Sequence, residues 1–328
     1  MAKEAGVSVA TISRVLNEED NVSPETREHV WDVVKRMGYT PNVLGRNLRV
    51  KATRKILVLV PSLSNQFYAS VIRGMETVAR RERYQVLISA TYSKKETEKE
   101  LISMLYNQSV DGIILLSSQL SSKELTEIAQ SKPLVLCCEY TDGAVLPAVT
   151  IDNYQAGFQA VENLIRLGHQ KIAIISNDTV FSAQQRSQGY RDALETYHCP
   201  YIPEYCVNTE YTFQAGVSAT KKLLKLKEPP TAVFAISDVL AAGVVKELYA
   251  QGKQPGKDID VFGFDNTSLA KIITPSLSTI SQPRRQMGEQ AMKLLLQKIE
   301  DIHVENPLVI LPHQVILRQS THNKGKDL

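Results

Sequence analysis

The chain opens with MAKEAGVSVATISRVLN, residues 1–17, and the interpretation of the rest depends on this stretch. A helix that begins after Ser8 and advances by about 100° per residue has one apolar and one polar side. The apolar side carries Ile12, Val15 and Leu16, and the polar side carries Ala10, Ser13, Arg14 and Asn17. Lys3 to Ala5 would end a shorter first helix, and Gly6 follows where a tight turn between helices favours positive φ. The pattern predicts a helix-turn-helix.

The polar side of this helix suits a recognition helix, because short side chains let it lie close to base edges in the DNA major groove. Ala10 can touch a thymine methyl group, and Arg14 can donate two hydrogen bonds to guanine. Ser13 and Asn17 can bond to phosphates or bases. An ordinary amphipathic helix in an N-terminal bundle is the alternative that this pattern leaves open.

Charge is distributed unevenly along the 328 residues. Residues 1–55 hold ten Lys and Arg against seven Asp and Glu, which accounts for the whole net charge of +3. Residues 35–55 contain seven basic residues and no acidic one. A basic run is usually a solvated face, but beside a helix-turn-helix it indicates a surface that contacts phosphates.

The rest of the N-terminal region predicts one more helix and a hinge. Ser23 is a favourable N-cap and Pro24 suits the first helical position. We therefore expect a helix-turn-helix domain over residues 1–40 and a hinge helix with a linker over residues 41–55. The hinge helix is too short to be stable alone. Leu48 could wedge between base steps in the minor groove, although a plain interdomain linker is the alternative.

From residue 56 the sequence alternates between short apolar strands and amphipathic helices, as in KILVLVPSL and GIILLS. This alternation predicts an α/β fold with parallel, doubly wound sheets. The pattern restarts after Asp152, so we expect two similar lobes within a domain of residues 56–320. The polar residues 321–328 are expected to form a disordered tail.

Polar residues follow several of the predicted strands, where doubly wound folds bind ligands. They are Ser62, Ser64, Asn65, Asp152, Asn153, Arg186, Ser237, Asp238, Asp265 and Asn266. Carboxylates, amides and one arginine fit a polyhydroxylated ligand, because vicinal hydroxyl groups bond in pairs to such side chains. Each residue alone could equally be a helix cap or a turn former.

Composition excludes several other classes of protein. No apolar run approaches the ~18 residues of a membrane helix, and the N-terminus lacks a secretory apolar segment, so we expect a cytoplasmic protein. The four cysteines show neither zinc-ligand nor disulfide spacing, and the adjacent Cys137 and Cys138 are expected to be buried strand residues. Motifs for nucleotide-binding loops, nucleophile elbows and zinc proteases are missing, so we expect no catalysis, no cofactor and no metal.

Eleven segments then share one order with a known family. They are AGVSVATISRVLN, VSPETR, MGYTPN, GRNL, SNQFYASVIRGME, VDGIILLS, VTIDN, RSQGYRDAL, PPTAVFAISD, GFDN and LPHQVILRQST. In this order they resemble the LacI/GalR family of bacterial transcription factors, from Met1 to about Ser320. The resemblance implies a homodimer that binds double-stranded operator DNA, in most cases as a repressor. It also implies hinge helices that fold on DNA and a core like periplasmic sugar-binding proteins, controlled by a small effector such as a sugar or sugar phosphate.

The resemblance also implies roles for individual residues. The DNA-binding positions are Ser8, Val9, Ala10, Thr11, Arg14, Asn17, Arg46, Asn47 and Leu48, of which Val9 and Ala10 fall where the family sets operator preference. The effector-binding positions are Ser62, Asn65, Phe67, Asp152, Arg186, Ser237, Asp265 and Gln282. Ser237 stands where relatives often carry Asn or Thr.

Two departures from the family bear on partners. Some members use a phosphocarrier protein as corepressor, held partly by an acidic and two basic residues near position 290. Here Gln286, Lys293 and Gln297 stand there. One of the three charges survives, so we expect a small effector instead.

Relatives usually carry about five more residues before MAKEAG, so the first helix is expected to be little more than one turn. A cytoplasmic sugar sensor with a defective DNA-binding module is the alternative function.

Overall fold

The computed structural model describes residues 1–16, 21–38, 52–177, 179–302 and 308–322. The chain divides into two units, Met1–Thr53 and Arg54–Leu328. The expected hinge helix lies outside the described residues, as do four of the expected DNA-binding residues. These four are Asn17, Arg46, Asn47 and Leu48.

The N-terminal unit contains helices α1 (Val9–Leu16) and α2 (Pro24–Arg36). Both begin at serine caps: the Ser8 hydroxyl accepts from the Thr11 amide at 3.0 Å, and the Ser23 hydroxyl accepts from the Thr26 amide at 3.3 Å. Residues 2–6 form turns rather than the expected first helix. One turn gains too few backbone hydrogen bonds to offset helix nucleation. A small apolar cluster holds the unit together: Ala5, Ile12, Val15, Val30, Val33 and Val34.

The second unit contains two six-stranded sheets, which confirms the doubly wound α/β fold. The first sheet is wholly parallel in the order β11-β5-β4-β3-β1-β2. Its strands are β1 (Lys55–Val60), β2 (Gln85–Ala90), β3 (Gly112–Leu115), β4 (Leu134–Cys137), β5 (Ala148–Ile151) and β11 (Leu308–Leu311). Since β1, β3, β4 and β5 are almost completely buried between helix layers, their sequences are continuously apolar.

The second sheet has the order β12-β10-β9-β8-β6-β7, with only the β10–β12 pair antiparallel. Its strands are β6 (Ile172–Ser176), β7 (Cys206–Asn208), β8 (Ala232–Ala235), β9 (Asp260–Asp265), β10 (Ser278–Ser281) and β12 (Gln314–Ile316). The chain thus passes between the lobes three times, after β5, after β10 and after β11.

The helices of this unit cover the two sheets. They are α3 (Gln66–Arg81), α4 (Lys95–Tyr106), α5 (Ser122–Ser131), α6 (Asn153–Arg166), α7 (Phe181–Thr196), α8 (Phe213–Leu224), α9 (Asp238–Ala250), α10 (Ser268–Ile272) and α11 (Arg284–Ile299). Helix α11 returns to the first lobe and packs against α3. None of the described helices is both long and apolar enough to cross a membrane.

Two glycines let helices α6 and α7 pack closely at the cleft between the lobes. A Cβ at Gly157 in α6 would lie 2.5 Å from the Arg186 carbonyl oxygen in α7, and one at Gly189 would lie 2.2 Å from the Tyr154 carbonyl oxygen. Only residues without a side chain allow this approach, which holds the first half of α7 against the first turns of α6.

The C-terminal end is ordered slightly further than expected. Thr321 is buried and bonds to the Ser278 hydroxyl at 2.7 Å, and His322 bonds to Asp260. These two residues therefore pack against the second lobe instead of starting the disordered tail expected over residues 321–328. Both residues are held by hydrogen bonds to buried side chains, Thr321 to Ser278 and His322 to Asp260.

Candidate functional site

Arg186 is the centre of the site between the lobes. It lies in the first turns of α7 with 6% of its surface exposed. Its Nε donates to the Asn153 side-chain oxygen and its Nη1 to the Ile236 carbonyl oxygen, both at 2.9 Å. The guanidinium carbon lies 3.6 Å from the centre of the Phe264 ring. These contacts fix a buried positive charge at the carboxyl ends of the second lobe's strands.

Asp265 ends strand β9 beside this charge. It is buried, has a φ of 108°, and accepts from the Gln282 side-chain amide at 2.7 Å. Burial raises the pKa of Asp265 to about 7, with a further contribution from Asp238 and an opposing one from Arg186. The second lobe therefore presents a buried carboxyl group that holds its proton more tightly than an exposed aspartate does.

Asp238 is a second buried aspartate near Asp265, and groups of the protein already donate hydrogen bonds to its carboxylate. Its carboxylate accepts from the Thr267 amide at 2.6 Å, the Thr267 hydroxyl at 2.9 Å and the Thr279 hydroxyl at 2.8 Å. Burial nevertheless raises the pKa of Asp238 to about 6. Because its oxygens are engaged by the second lobe, Asp238 supports the site from behind and adds negative potential to it.

Three functional candidates were missed in the sequence: Tyr68, Glu139 and Tyr211. Burial raises the pKa of Tyr68 well above its ordinary value, and the charges of Cys138, Glu139, Tyr211 and Asp265 raise it further. These groups therefore lie close enough to interact electrostatically. Glu139 follows β4, so its strand-end position could have revealed it. Tyr211 stands three residues beyond β7, and nothing in the local sequence marks it.

We call the group formed by Tyr68, Glu139, Arg186, Tyr211 and Asp265, which are linked by electrostatic interactions, the effector chamber. The first two residues belong to the first lobe and the last three to the second. Burial also raises the pKa of Glu139, which hydrogen bonds from Ser182 and the charge of Arg186 oppose. Burial raises the pKa of Tyr211 beyond its usual range as well. The chamber thus combines one fixed cation, two carboxyl groups and two phenols.

Four of the expected effector-binding residues have a structural role on the same edges of the sheets. Asn65, Asp152 and Ser237 cap helices α3, α6 and α9 through the amides of Phe67, Gln155 and Leu240. The Ser62 hydroxyl lies 2.8 Å from that of Ser64. Phe67 is buried with its ring edge-on to Tyr68, 5.3 Å between centres. The structure therefore brings Arg186, Asp265 and Gln282 together, and leaves these five as their surroundings.

The two lobes touch directly at one side of the effector chamber. Glu139 accepts from the Ser182 amide at 3.0 Å and from its hydroxyl at 2.5 Å, and the Gln185 side chain donates to the Tyr140 hydroxyl at 2.8 Å. A cavity of about 280 Å³ opens beside these contacts and shares Glu139 with the effector chamber. At the opposite side, the Ser268 hydroxyl donates to the Gln66 side chain at 3.2 Å.

The candidate DNA-reading face belongs to the N-terminal unit. Val9, Ala10 and Arg14 are exposed along α1, while Ile12 and Val15 are buried on its opposite side. Val9 is 74% exposed, so its methyl groups are accessible. Thr11 and Ser8 join their hydroxyl groups at 2.9 Å. Among the described residues, no group of three or more His, Cys, Asp or Glu side chains is arranged to hold a metal ion.

Comparison with known proteins gives matches over almost the whole chain. The family described as periplasmic binding proteins and sugar binding domain of LacI family matches residues 53–319, and bacterial regulatory proteins, lacI family, matches residues 1–42. Catabolite control protein A of Priestia megaterium is 36% identical over 98% of both chains. The transcriptional repressor CytR of Escherichia coli K12 is 37% identical over 98% of this chain and 95% of its own.

A solved structure extends the match to three dimensions. The Lac repressor dimer bound to operator and the anti-inducer ONPF aligns with a TM-score of 0.89 and 26% identity, over 98% of this chain and 97% of its own. The alignment covers the N-terminal unit and both lobes, in the same order along the chain.

Proposed function

The chain belongs to the LacI family of bacterial regulatory proteins, and on that premise we propose that a small polyhydroxylated effector in the effector chamber controls its binding to operator DNA. It acts as a cytoplasmic homodimer in which the N-terminal unit of each subunit binds one half of a pseudopalindromic site. Residues 1–40 form the DNA-binding domain, residues 41–55 the hinge, and residues 56–320 the effector-binding and dimerisation domain.

The observation that carries this proposal is the juxtaposition of Arg186, Asp265 and Gln282. A guanidinium held by Asn153 and Ile236 costs little further ordering when a ligand binds. Asp265 and Gln282 offer acceptors and donors beside it, and neighbouring hydroxyl groups of a sugar can bond to such groups in pairs. Hydroxyl groups of the ligand also take the place of solvent around the buried side chains of Arg186 and Asp265.

Operator recognition is assigned to the exposed side of α1. Val9 and Ala10 offer apolar contact to base methyl groups, and Arg14 offers a paired contact to guanine. Thr11 and Ser8 lie where phosphates can be bonded. Asn17, Arg46, Asn47 and Leu48 are proposed as further contacts on the family resemblance alone, with Leu48 as the minor-groove wedge.

The effector is proposed to be a small molecule rather than a phosphocarrier protein. Gln286, Lys293 and Gln297 are exposed on α11, and only the lysine could pair with an acidic or phosphorylated partner. A protein corepressor held by charge needs more than one such residue. The buried charges lie instead inside the cleft, where a small ligand reaches them.

The operator arm of the proposal is tested by gel shift with a palindromic operator library at fixed salt. Arg14→Ala should lose about 5- to 150-fold in specific affinity, since a paired arginine–guanine contact is worth about 1–3 kcal/mol. Arg36→Ala removes the same charge from an exposed site of the same unit, where Arg36 lies 3.8 Å from Glu4, and should change specific and non-specific binding equally. Absence of any sequence-specific complex would contradict operator binding.

The effector arm is tested by a thermal-shift screen of sugars and sugar phosphates on the full chain. A ligand at 100 times its Kd should stabilise the protein by about 2.7 kcal/mol. If such a ligand binds and no operator is found, the chain is a sugar sensor without DNA binding.

A further inference from the structure

A pair of adjacent cysteines lies beside the effector chamber. Cys137 is the last residue of β4 and is fully buried, and Cys138 follows it with 7% of its surface exposed. Their sulfur atoms lie 3.8 Å apart, which is contact distance. Cys138 directly precedes Glu139 and interacts electrostatically with Tyr68, Glu139 and Asp265, so the pair lies beside the effector chamber.

The backbone brings the two sulfur atoms together. Successive side chains of a strand point to opposite faces of the sheet, which would separate neighbouring cysteines. Cys138 instead has a φ of 75°, a conformation that few residues other than glycine adopt. Its amide still donates to the Val149 carbonyl oxygen at 2.8 Å, and its carbonyl oxygen accepts from the Thr150 hydroxyl at 3.2 Å. Hydrogen bonds to Val149 and Thr150 of β5 thus hold Cys138 in this conformation.

We propose that Cys137 and Cys138 form a modification site at which a low-molecular-weight disulfide produces a vicinal disulfide beside the effector chamber. The Cys138 sulfur attacks one sulfur of the reagent, breaks its S–S bond and releases one thiol. The Cys137 sulfur then attacks the Cys138 sulfur and releases the second thiol. The protein pair loses two electrons and two protons, and the reagent gains them, so the exchange balances without another reactant.

The geometry makes this disulfide readily reversible. Adjacent Cα atoms are only about 3.8 Å apart. Most disulfides span a Cα separation of about 4.4–6.8 Å, and departures from that range strain the bond and favour its reduction. Strained disulfides are the labile class that responds to changes in thiol balance. The site therefore suits a reversible modification and not a permanent staple.

The environment of the pair sets when the reaction proceeds. Burial raises the pKa of the Cys138 thiol, and Cys137, Glu139 and Asp265 raise it further. A protonated thiol is a poor nucleophile, so exchange is slow while the lobes exclude water. Opening of the cleft admits both water and the reagent, and the modification accordingly reports on the state of the cleft.

The test treats the native full chain with hydroxyethyl disulfide, followed by acid denaturation, alkylation and intact mass measurement. The chain has four cysteines. We expect the thiols of Cys137 and Cys138 to disappear without addition of reagent mass at either residue, a peptide map to place the bond between them, and reductant to restore all four thiols. The readout needs neither operator nor effector, so its failure is distinct from failure of the proposed function.

Matched variants separate this pair from the remaining cysteines. Cys199 and Cys206 are partly exposed, and the double variant Cys199→Ser/Cys206→Ser should still lose both of its thiols. Cys138→Ser and, as a second variant, Cys137→Ala should form no internal disulfide, with native folding checked by thermal unfolding. The proposal is overturned if the wild type keeps four alkylatable thiols, carries only mixed adducts, or forms its internal bond between Cys199 and Cys206.

Discussion

Strand β9 begins and ends with a buried aspartate, and the two carboxyl groups have opposite properties. Asp260, at the first position, accepts from His169 Nε2 at 2.9 Å, from His322 Nδ1 at 2.6 Å and from the His322 amide at 2.9 Å. Although burial acts to raise it, these hydrogen bonds lower the pKa of Asp260 below its usual value. Asp265, at the last position, has a pKa raised to about 7 by burial.

The difference follows from the topology of the sheet. The amino end of β9 faces away from the cleft, where the histidines of two distant segments can surround Asp260 completely. The carboxyl end opens into the effector chamber, where full compensation by the protein would leave nothing for a ligand to bond. Within β9, the carboxylate that serves the fold is therefore paired with histidines, and the one that faces the ligand site keeps a high pKa.

The largest expected effect concerns effector affinity at the carboxyl end. Asp265→Asn should weaken binding of the effector found by the thermal-shift screen by about 10- to 150-fold, because a hydrogen bond to a charged group is worth about 1.5–3 kcal/mol. Isothermal titration calorimetry measures the change. Asp260→Asn is the reciprocal control and should leave affinity within about twofold, since distant sites act independently. Equal losses in both variants would remove the distinction between the two ends.

The second effect concerns stability at the amino end. Asp260→Asn keeps the shape of the side chain but removes the charge that both histidines bond to. It should lower the free energy of unfolding by about 2–3 kcal/mol at pH 7 in urea denaturation. Asp258→Asn is the matched control, because Asp258 is exposed and accepts only a surface bond from the Gln254 amide at 2.7 Å. A loss below about 1 kcal/mol is expected there.

The third effect is a difference in pH dependence. Native Asp265 keeps a proton that the unfolded chain releases, so its contribution to stability falls as pH rises from about 4 to about 7. Asp265→Asn should remove that fall. Native Asp260 holds its proton less tightly than the unfolded chain does, so its contribution is present above a pH of about 4 and is lost below it. Urea midpoints measured from below pH 4 to above pH 7 should therefore show Asp265→Asn gaining on the wild type as pH rises from about 4 to about 7, and Asp260→Asn approaching the wild type only below about 4.

The two ends of β9 also differ in how far the sequence predicts them. Asp265 follows an apolar strand, and parallel strands bind ligands at that end, so its role is predictable. Asp260 bonds to His169, which lies 91 residues away, and to His322, which lies 62 residues away. No local pattern encodes such pairs. Glu139 is intermediate, because its strand-end position is visible but its partner Ser182 across the cleft is not.

The N-terminal unit is the most predictable part of the described chain, because its organisation is local. Ser8 and Ser23 cap α1 and α2 by accepting hydrogen bonds from the amides three residues ahead. The apolar spacing within the two helices predicts which residues form the core of the unit. In the second unit, the alternation of strands and helices predicts the fold class. It does not predict that α11 and β11 return to the first lobe after the chain has built most of the second.

The smallest expected effect provides a reference outside β9. Ser23→Ala removes the cap of α2 and should destabilise the N-terminal unit by about 1 kcal/mol, whereas Ser23→Asp should retain most of the stability because aspartate also caps helices. Trp31 is the single tryptophan of the chain and lies in α2, so its fluorescence reports on this unit alone. Its transition should shift in Ser23→Ala and remain unchanged in Asp260→Asn. If Asp260→Asn also shifts the Trp31 transition, the two units unfold together, and stability differences between the ends of β9 must then be measured on the whole chain.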